Sequence, residues 1–218
     1  MFEGESLCLG KMFELINTGQ PRTIIELGVN HGTTSEFLLQ RMNKDEILYG
    51  IEADPRCIVK IKNKIKDPRF YITHAAVTDE DIESIEFHLC TAIHPGYGPW
   101  DCASSLKPIK HGLVVNPWLK YEEDVYVAGI SLDTFTKCSF IDKVDFIWCD
   151  VEGAYAEVVD GGLETLKRTK YFYTECEDVE TYEGEIMYPA MKTKMESIGW
   201  ELVHRFKYDA LFINKEFK

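Results

Sequence analysis

Continuous apolar runs alternate along this chain with stretches in which apolar residues return every three or four positions. Residues 23–29, rich in Ile and Val, form the first such run, the pattern of a strand buried on both faces. Ahead of it, Leu9, Met12, Phe13 and Ile16 predict a helix within residues 1–20 that stops at Asn17-Thr18-Gly19. After it, Thr33-Thr34-Ser35 offers an N-cap, and Phe37, Leu38 and Met42 supply the buried stripe of the next helix. A second strand is expected at Ile47–Ala53. Asp54-Pro55 then opens a helix carrying Ile58, Ile61 and Ile65 on one face. Further strands are expected at Phe70–Val77, Ile82–Leu89, Val125–Leu132, Val144–Val151 and Tyr171–Cys176. Helices are expected at Ala154–Leu166 and Met187–Ile198, the latter ended by Gly199, before a closing hairpin of Trp200–Phe206 and Ala210–Asn214. Alternating strands and helices imply an α/β domain with a mostly parallel sheet, helices on both faces and an antiparallel strand near the end. With no repeat and no low-complexity linker, residues 1–218 are expected to form a single domain.

One stretch breaks the pattern. Residues 91–120 lose all periodicity and collect Pro95, Gly96, Gly98, Pro99, Pro108, Gly112 and Pro117. A segment of that length without regular structure is unusual inside a compact domain and points to a binding loop, here an insertion on the substrate side.

Charge narrows the partners. Thirty-seven acidic against 24 basic side chains give a formal net charge of −13, which disfavours nucleic acid and anionic membrane surfaces. The seven cysteines are scattered and none forms a CxxC pair, so reduced thiols in a cytoplasmic protein are expected rather than disulfides or a zinc cluster. The start of the chain, Met1-Phe2-Glu3-Gly4-Glu5, lacks the pattern of a signal peptide, and no apolar stretch is long enough to span a bilayer. Oligomeric state is not legible.

The chemistry gathers at strand ends, where ligands sit in such sheets. The first reads Glu26-Leu27-Gly28-Val29-Asn30-His31-Gly32, in which Gly28 permits a sharp turn and Gly32 close packing of the next helix. Its spacing is acidic-x-Gly-x-x-x-Gly rather than the Gly-x-Gly-x-x-Gly of a dinucleotide site. An anion beside the turn suits a ligand carrying positive charge better than a pyrophosphate. Glu52, at the tip of the second strand, can accept both hydrogen bonds of a ribose diol. A cationic amino-acid group at the first turn and a ribose at the second together describe S-adenosylmethionine. Glu26, Gly28, Asn30, Gly32, Glu52, Ala53 and Ala76 are the expected cofactor contacts. In the second half, apolar strands deliver Asp150, Glu152 and Glu175 to the same edge, where carboxylates can accept a proton, hold hydroxyls or bind a hard cation.

These motifs resemble, in order, those of the FkbM-type methyltransferases of the class I fold. Gly28-Val29-Asn30-His31-Gly32 is similar to the family's Gly-Ala-Asn-x-Gly, and Glu52-Ala53-Asp54-Pro55 to its Glu-Pro-x-Pro. Leu132-Asp133 matches a family pair, Asp150-Val151-Glu152-Gly153 matches its Asp-Val-Glu-Gly unchanged, and Gly161 and Glu175 fall where the family places them. Two positions depart from it. Trp148 stands where a lysine is usual, and Tyr155 where a second glutamate is usual. The resemblance implies a Rossmann-like, seven-stranded fold and transfer of a methyl group from S-adenosylmethionine to a hydroxyl of a small molecule or glycan, a deoxyhexose such as rhamnose being the foremost expectation. Asp150 is then the expected base, supported by Glu152 and Glu175, and Asp150 with Glu175 would hold magnesium or manganese if the reaction uses a metal. From the irregular stretch, His94, Tyr97, Trp100 and His111 are expected to meet the acceptor, and a histidine there is a rival base. Ser104-Ser105-Leu106 resembles a short family motif in the same place. Asn116-Pro117-Trp118 lacks the second proline of the amino-methyltransferase signature and precedes the wrong strand. Two further readings remain open: another nucleotide-binding enzyme such as a dehydrogenase, and a cofactor-binding module that has lost catalysis.

Overall fold

A computed structural model describes residues 22–110 and 116–218. Its frame is a seven-stranded sheet in the order β11-β12-β10-β9-β1-β2-β3. Four neighbouring strands carry the site: β1 (Thr23–Leu27), β2 (Ile47–Glu52), β9 (Val144–Cys149) and β10 (Thr169–Glu175). β3 (Phe70–His74) closes one edge, and β11 (Trp200–Arg205) with β12 (Asp209–Asn214) closes the other. β12 runs antiparallel to both of its neighbours, as expected of the closing hairpin, while the pairings among β1, β2, β3, β9 and β10 are parallel. Successive β1 residues serve opposite faces, which explains the unbroken apolar run. Ile25 and Leu27 join Phe135, Val158, Leu166, Met191 and Met195, whereas Ile24 packs with Leu38, Leu39, Phe146 and Trp148.

The expected helices appear in order with two instructive differences, and one further helix, at Leu132–Cys138, was not expected. α1 (Thr33–Leu39) is entered through Gly32, in the left-handed conformation with φ 72°, without any side-chain cap. Ser35 is instead inside the helix and buried, its hydroxyl turned to the carboxylate of Glu26. A buried carboxylate without a donor costs more than a missing cap. α2 (Pro55–Lys64) begins as expected, Asp54 accepting from the Arg56 amide. The helix expected at Ala154–Leu166 is two, α4 (Tyr155–Asp160) and α5 (Leu163–Lys167), divided at Gly161-Gly162. A side chain at Gly161 would strike the backbone of Thr78 and Asp79, and Asp133 accepts from the Glu164 and Thr165 amides to start α5. That contact gives the Leu132-Asp133 pair, at the start of α3 (Leu132–Cys138), a structural role at the start of α5. α6 (Tyr188–Ser197) packs on β11.

The expected strand Phe70–Val77 also divides. After β3 the chain leaves the main sheet, and β4 (Ala76–Thr78) joins a second sheet in the order β4-β8-β5. β5 (Ile82–Cys90) and β8 (Tyr121–Ser131) form its long antiparallel pair. Between them, the stretch that looked structureless holds a small hairpin, β6 (Ala92–His94) and β7 (Gly98–Trp100), and a bridge from Ser105 back to His88. Prolines and glycines hide so short a hairpin from any periodicity. The helix expected within residues 1–20, and His111, lie outside the described residues. Among those described, the cysteines at 57, 90, 102, 138, 149 and 176 are free, and no helix is long and apolar enough to cross a membrane.

Candidate active site

Parallel register assembles the site. Leu27 lies level with Ile51 of β2 and Cys149 of β9, and Cys149 with Thr174 of β10. One residue further on, Gly28, Glu52, Asp150 and Glu175 therefore form a row across four adjacent strand ends. The ladder itself continues to that level, Gly28 N–H donating to Ile51 (2.9 Å) and Asp150 N–H to Leu27 (2.9 Å). Any side chain at Gly28 would collide with the Asp150 carbonyl, and its φ of 80° is one that L-residues avoid.

A cavity of about 710 Å³ opens along this row. Gly28, Val29, Asn30, Glu52 and Ala53 line one end, with an apolar slot formed by Ile51, Ala75, Ala76, Val77 and Phe87. Asp150, Glu152 and Glu175 line its floor. Tyr97, Pro99, Trp100, Asp101 and Cys102 supply the opposite wall. Gly32 lies outside the lining, as does Glu26. His94 also stays out of it, its ring 4.5–5.1 Å from those of Tyr97, Trp100 and Trp118.

Glu52 is buried and held by two short hydrogen bonds, from the Asn30 amide to Oε2 and the Asp54 amide to Oε1, each 2.6 Å. Asn30 adopts φ 49° to present that amide, a conformation tolerated where surrounding structure enforces it. Burial pushes the Glu52 carboxyl up to about 7, against the pull of those amides. Glu26 is fully buried behind the turn. Ser35 Oγ donates to its Oε2 at 2.5 Å, and Oε1 meets no hydrogen-bond partner among the described residues. Burial raises its carboxyl to about 8.

At the floor, Asp150, Glu152 and Glu175 each bring one oxygen within 4.8 Å of the others. Carboxylates so close resist simultaneous ionisation. Burial first, then the neighbouring acids, pushes the Glu152 and Glu175 carboxyls upward. Each is steadied by a tyrosine: Tyr182 Oη donates to Glu152 (2.6 Å), and Tyr155 Oη to Glu175 (2.8 Å). Tyr155, one of the two departures from the family pattern, thus places a neutral donor behind Glu175. Trp148, the other, is buried in the core and stacked on Tyr173 with ring centroids 4.1 Å apart, away from the cavity.

Three residues of this site had no role assigned to them in the sequence. Tyr182 reaches Glu152 from the segment after β10, whose backbone is tied to the insertion through Lys110 N–H to Thr181 and Glu183 N–H to Pro108. Its only sequence signal is an aromatic ring set in an acidic stretch. Ser105, in the short motif noted above, donates to the Glu152 carbonyl at 2.5 Å and fixes a residue whose φ is 47°. Asp101 closes the far wall against His31, at 2.9 Å, and Lys60, at 2.6 Å. Burial raises the Asp101 carboxyl, but Lys60 and His31 outweigh it and hold the group below its usual range.

Known proteins share this architecture. A family model described as the methyltransferase FkbM domain matches residues 26–206. The 2-O-methyltransferase NoeI of Sinorhizobium fredii (strain NBRC 101917 / NGR234) is 30% identical over 189 residues, which cover 84% of this chain and 74% of NoeI. The solved structure of methyltransferase FkbM from Methylobacillus flagellatus KT matches with a TM-score of 0.55 at 11% identity, over 88% of this chain. This chain spans only 43% of that protein. A SAM dependent methyltransferase from Aquifex aeolicus matches with a TM-score of 0.50 at 11% identity, over 98% of this chain and 100% of its own. At such identities the structural likeness establishes the fold, that of the class I methyltransferases.

Proposed function

The chain belongs to the FkbM methyltransferase family, and from that premise we propose that it transfers a methyl group from S-adenosylmethionine to a hydroxyl oxygen of a sugar, a deoxyhexose such as rhamnose foremost. The observation that carries this reading is the continuity of the cavity: a glycine turn, a buried strand-end glutamate, a trio of carboxylates and an aromatic wall share one space. Its volume suits a nucleoside cofactor together with a small acceptor. NoeI, a 2-O-methyltransferase, supports oxygen as the receiving atom.

The residues fit the cofactor. Each Glu52 oxygen accepts one amide hydrogen and keeps a further lone pair, so the carboxylate can receive a ribose diol without giving up its support. Ile51, Ala76, Val77 and Phe87 offer a slot for a purine. Glu26 acts from behind the turn, through Ser35 rather than by contact. When bound, S-adenosylmethionine supplies an electrophilic methyl carbon on a sulfonium. What remains for the protein is to align the acceptor oxygen and take its proton. Asp150 takes that proton, and Glu152 and Glu175, each held by a tyrosine, orient neighbouring hydroxyls. The faces of Tyr97 and Trp100 suit stacking on a sugar ring.

A second reading rests on the close approach of Asp150, Glu152 and Glu175. An all-oxygen donor set suits magnesium or manganese, with Asp150 and Glu175 as ligands. Methyl transfer from labelled cofactor onto a panel of glycosides tests the function: label on a sugar hydroxyl is expected, and a panel with no labelled product overturns the acceptor class. Asp150→Asn is expected to lower kcat by about 10²–10⁴-fold while sparing cofactor affinity, and full activity moves the base elsewhere. Chelation separates the two readings: loss of activity, restored by magnesium or manganese, favours the metal, and indifference favours Asp150 alone.

A further inference from the structure

Among the described residues the hairpin β6–β7 pairs with no other strand, and a two-stranded ribbon is marginal on its own. Tyr97 and Trp100 nevertheless line the cavity from it, so something outside the hairpin must hold the wall in place. The fastening begins at the next residue. Asp101 is largely buried, its side chain 13% exposed, and it receives Lys60 Nζ of α2 at 2.6 Å. The His31 ring nitrogen, from the turn after β1, lies 2.8–2.9 Å from its two oxygens. Cys102 Sγ donates to Asn30 Oδ1 (3.5 Å), and the Asn30 amide is the one that holds Glu52. Ser104 Oγ, three residues beyond Asp101, meets Asp54 at 3.3 Å and Arg56 at 3.3 Å. The ties run to the turn after β1 and to α2 with its N-cap, from which the Asn30 and Asp54 amides hold Glu52.

His31, Cys57 and Asp101 have the side chains of a metal site and lie close enough to share an ion. The Lys60 ammonium, 2.8 Å from His31 Nε2 and 2.6 Å from Asp101, already supplies positive charge there. A latch is the better account than a ligand set.

We propose that Asp101 is a positioning residue that fastens the aromatic wall to the cofactor turn, so that one carboxylate sets both how long the cofactor stays and where the acceptor's stacking surface stands. The proposal rests on the cofactor reading given above. Lys60 and His31 are its anchors, and Trp100 is the neighbour through which the latch reaches the acceptor.

The probe is S-adenosylhomocysteine. Its affinity is measured by calorimetry and its release by stopped-flow tryptophan fluorescence, on wild type, Asp101→Asn, Asp101→Glu and Lys60→Met. Breaking a partly buried ion pair acts mainly on the off-rate, so Asp101→Asn and Lys60→Met are expected to release the probe about tenfold faster. Asp101→Glu keeps the charge and is expected to stay near wild type, a rescue that a purely structural role would not show. Lys60→Met leaves Asp101 in place and keeps the test decisive if Asp101→Asn fails to fold. Probe bound by wild type but released at an unchanged rate by Lys60→Met overturns the latch and leaves the cofactor reading standing. A wild type that does not bind the probe overturns the cofactor reading, and the latch with it.

Discussion

Two halves of the cavity are built on opposite principles. The floor stands on the ends of β1, β2, β9 and β10, where parallel register places Gly28, Glu52, Asp150 and Glu175 side by side. The far wall stands on a short hairpin and irregular chain, held by ion pairs and side-chain hydrogen bonds to residues distant in sequence. A floor fixed by backbone pairing can keep acids buried and close together, because the sheet holds them there against repulsion and desolvation. The wall cannot store such strain. Its ties are one cluster of ion pairs and a few side-chain hydrogen bonds, with Lys60 and His31 partly exposed, and each is correspondingly weaker. Positions that serve the cofactor are therefore rigid, and those facing the acceptor are open to change.

The comparison breaks most sharply at Glu26, an acid buried directly behind the floor. Its folded-state carboxyl is raised by burial to about 8 from an ordinary 4.5. Between those limits the folded chain holds a proton that the unfolded chain has lost, so stability is full below the lower value and falls as pH rises. The slope from this group alone is about 1.4 kcal/mol per pH unit, ending as pH passes the folded value. Glu26→Gln, which keeps the shape and can still meet Ser35, is expected to flatten that slope. Chemical denaturation at pH 5, 6, 7 and 8 measures it, and parallel slopes in the two proteins would place the titration elsewhere.

Glu52 comes next. Removing a buried charged acceptor of hydrogen bonds costs about 1.5–3 kcal/mol, so Glu52→Ala should weaken S-adenosylmethionine by roughly 10–100-fold. The Asn30 and Asp54 amides lose their partner in that variant. Glu52→Gln, which can still accept, should recover part of the loss. Calorimetry checks both, and unchanged affinity in Glu52→Ala removes the residue from the cofactor site.

Legibility in the sequence divides along the same line. Strand ends are local features: an apolar run followed by Gly28, Glu52, Asp150 or Glu175 can be read in place, and topology then brings the ends together. A mostly parallel sheet with an antiparallel strand near its end followed from the same alternation and its seven strands from the family resemblance, whereas the strand order followed from neither. The residues that brace the site from elsewhere act through partners far away, Tyr182 on Glu152 across 30 positions, Ser105 on Glu152 across 47 and Asp101 on His31 across 70. No periodicity records such pairs. Glu26 was legible as an acid at the first turn but not as one set behind it, because facing is decided by whether α1 turns Ser35 inward. Tyr155 was visible only as a departure, and its hydroxyl's approach to Glu175 gives that departure a use.

The smallest expected effect tests the wall itself. Tyr97 is 65% exposed and lines the cavity, its ring centroid 4.6 Å from that of His94. Stacking a sugar against such a ring is worth about 0.5–1.5 kcal/mol, and Tyr97→Ala should raise the acceptor's KM by roughly 2–10-fold. Cofactor affinity should not move, because the ties to His31 and Lys60 run through Asp101 and survive the change. Tyr97→Phe should behave as wild type, since the expected contact is the ring face rather than the hydroxyl. Steady-state kinetics on the best glycoside of the panel separates these outcomes. A fall in kcat with unchanged KM would mean that Tyr97 shapes the reacting geometry, and the division between a catalytic floor and a recognising wall would have to be redrawn.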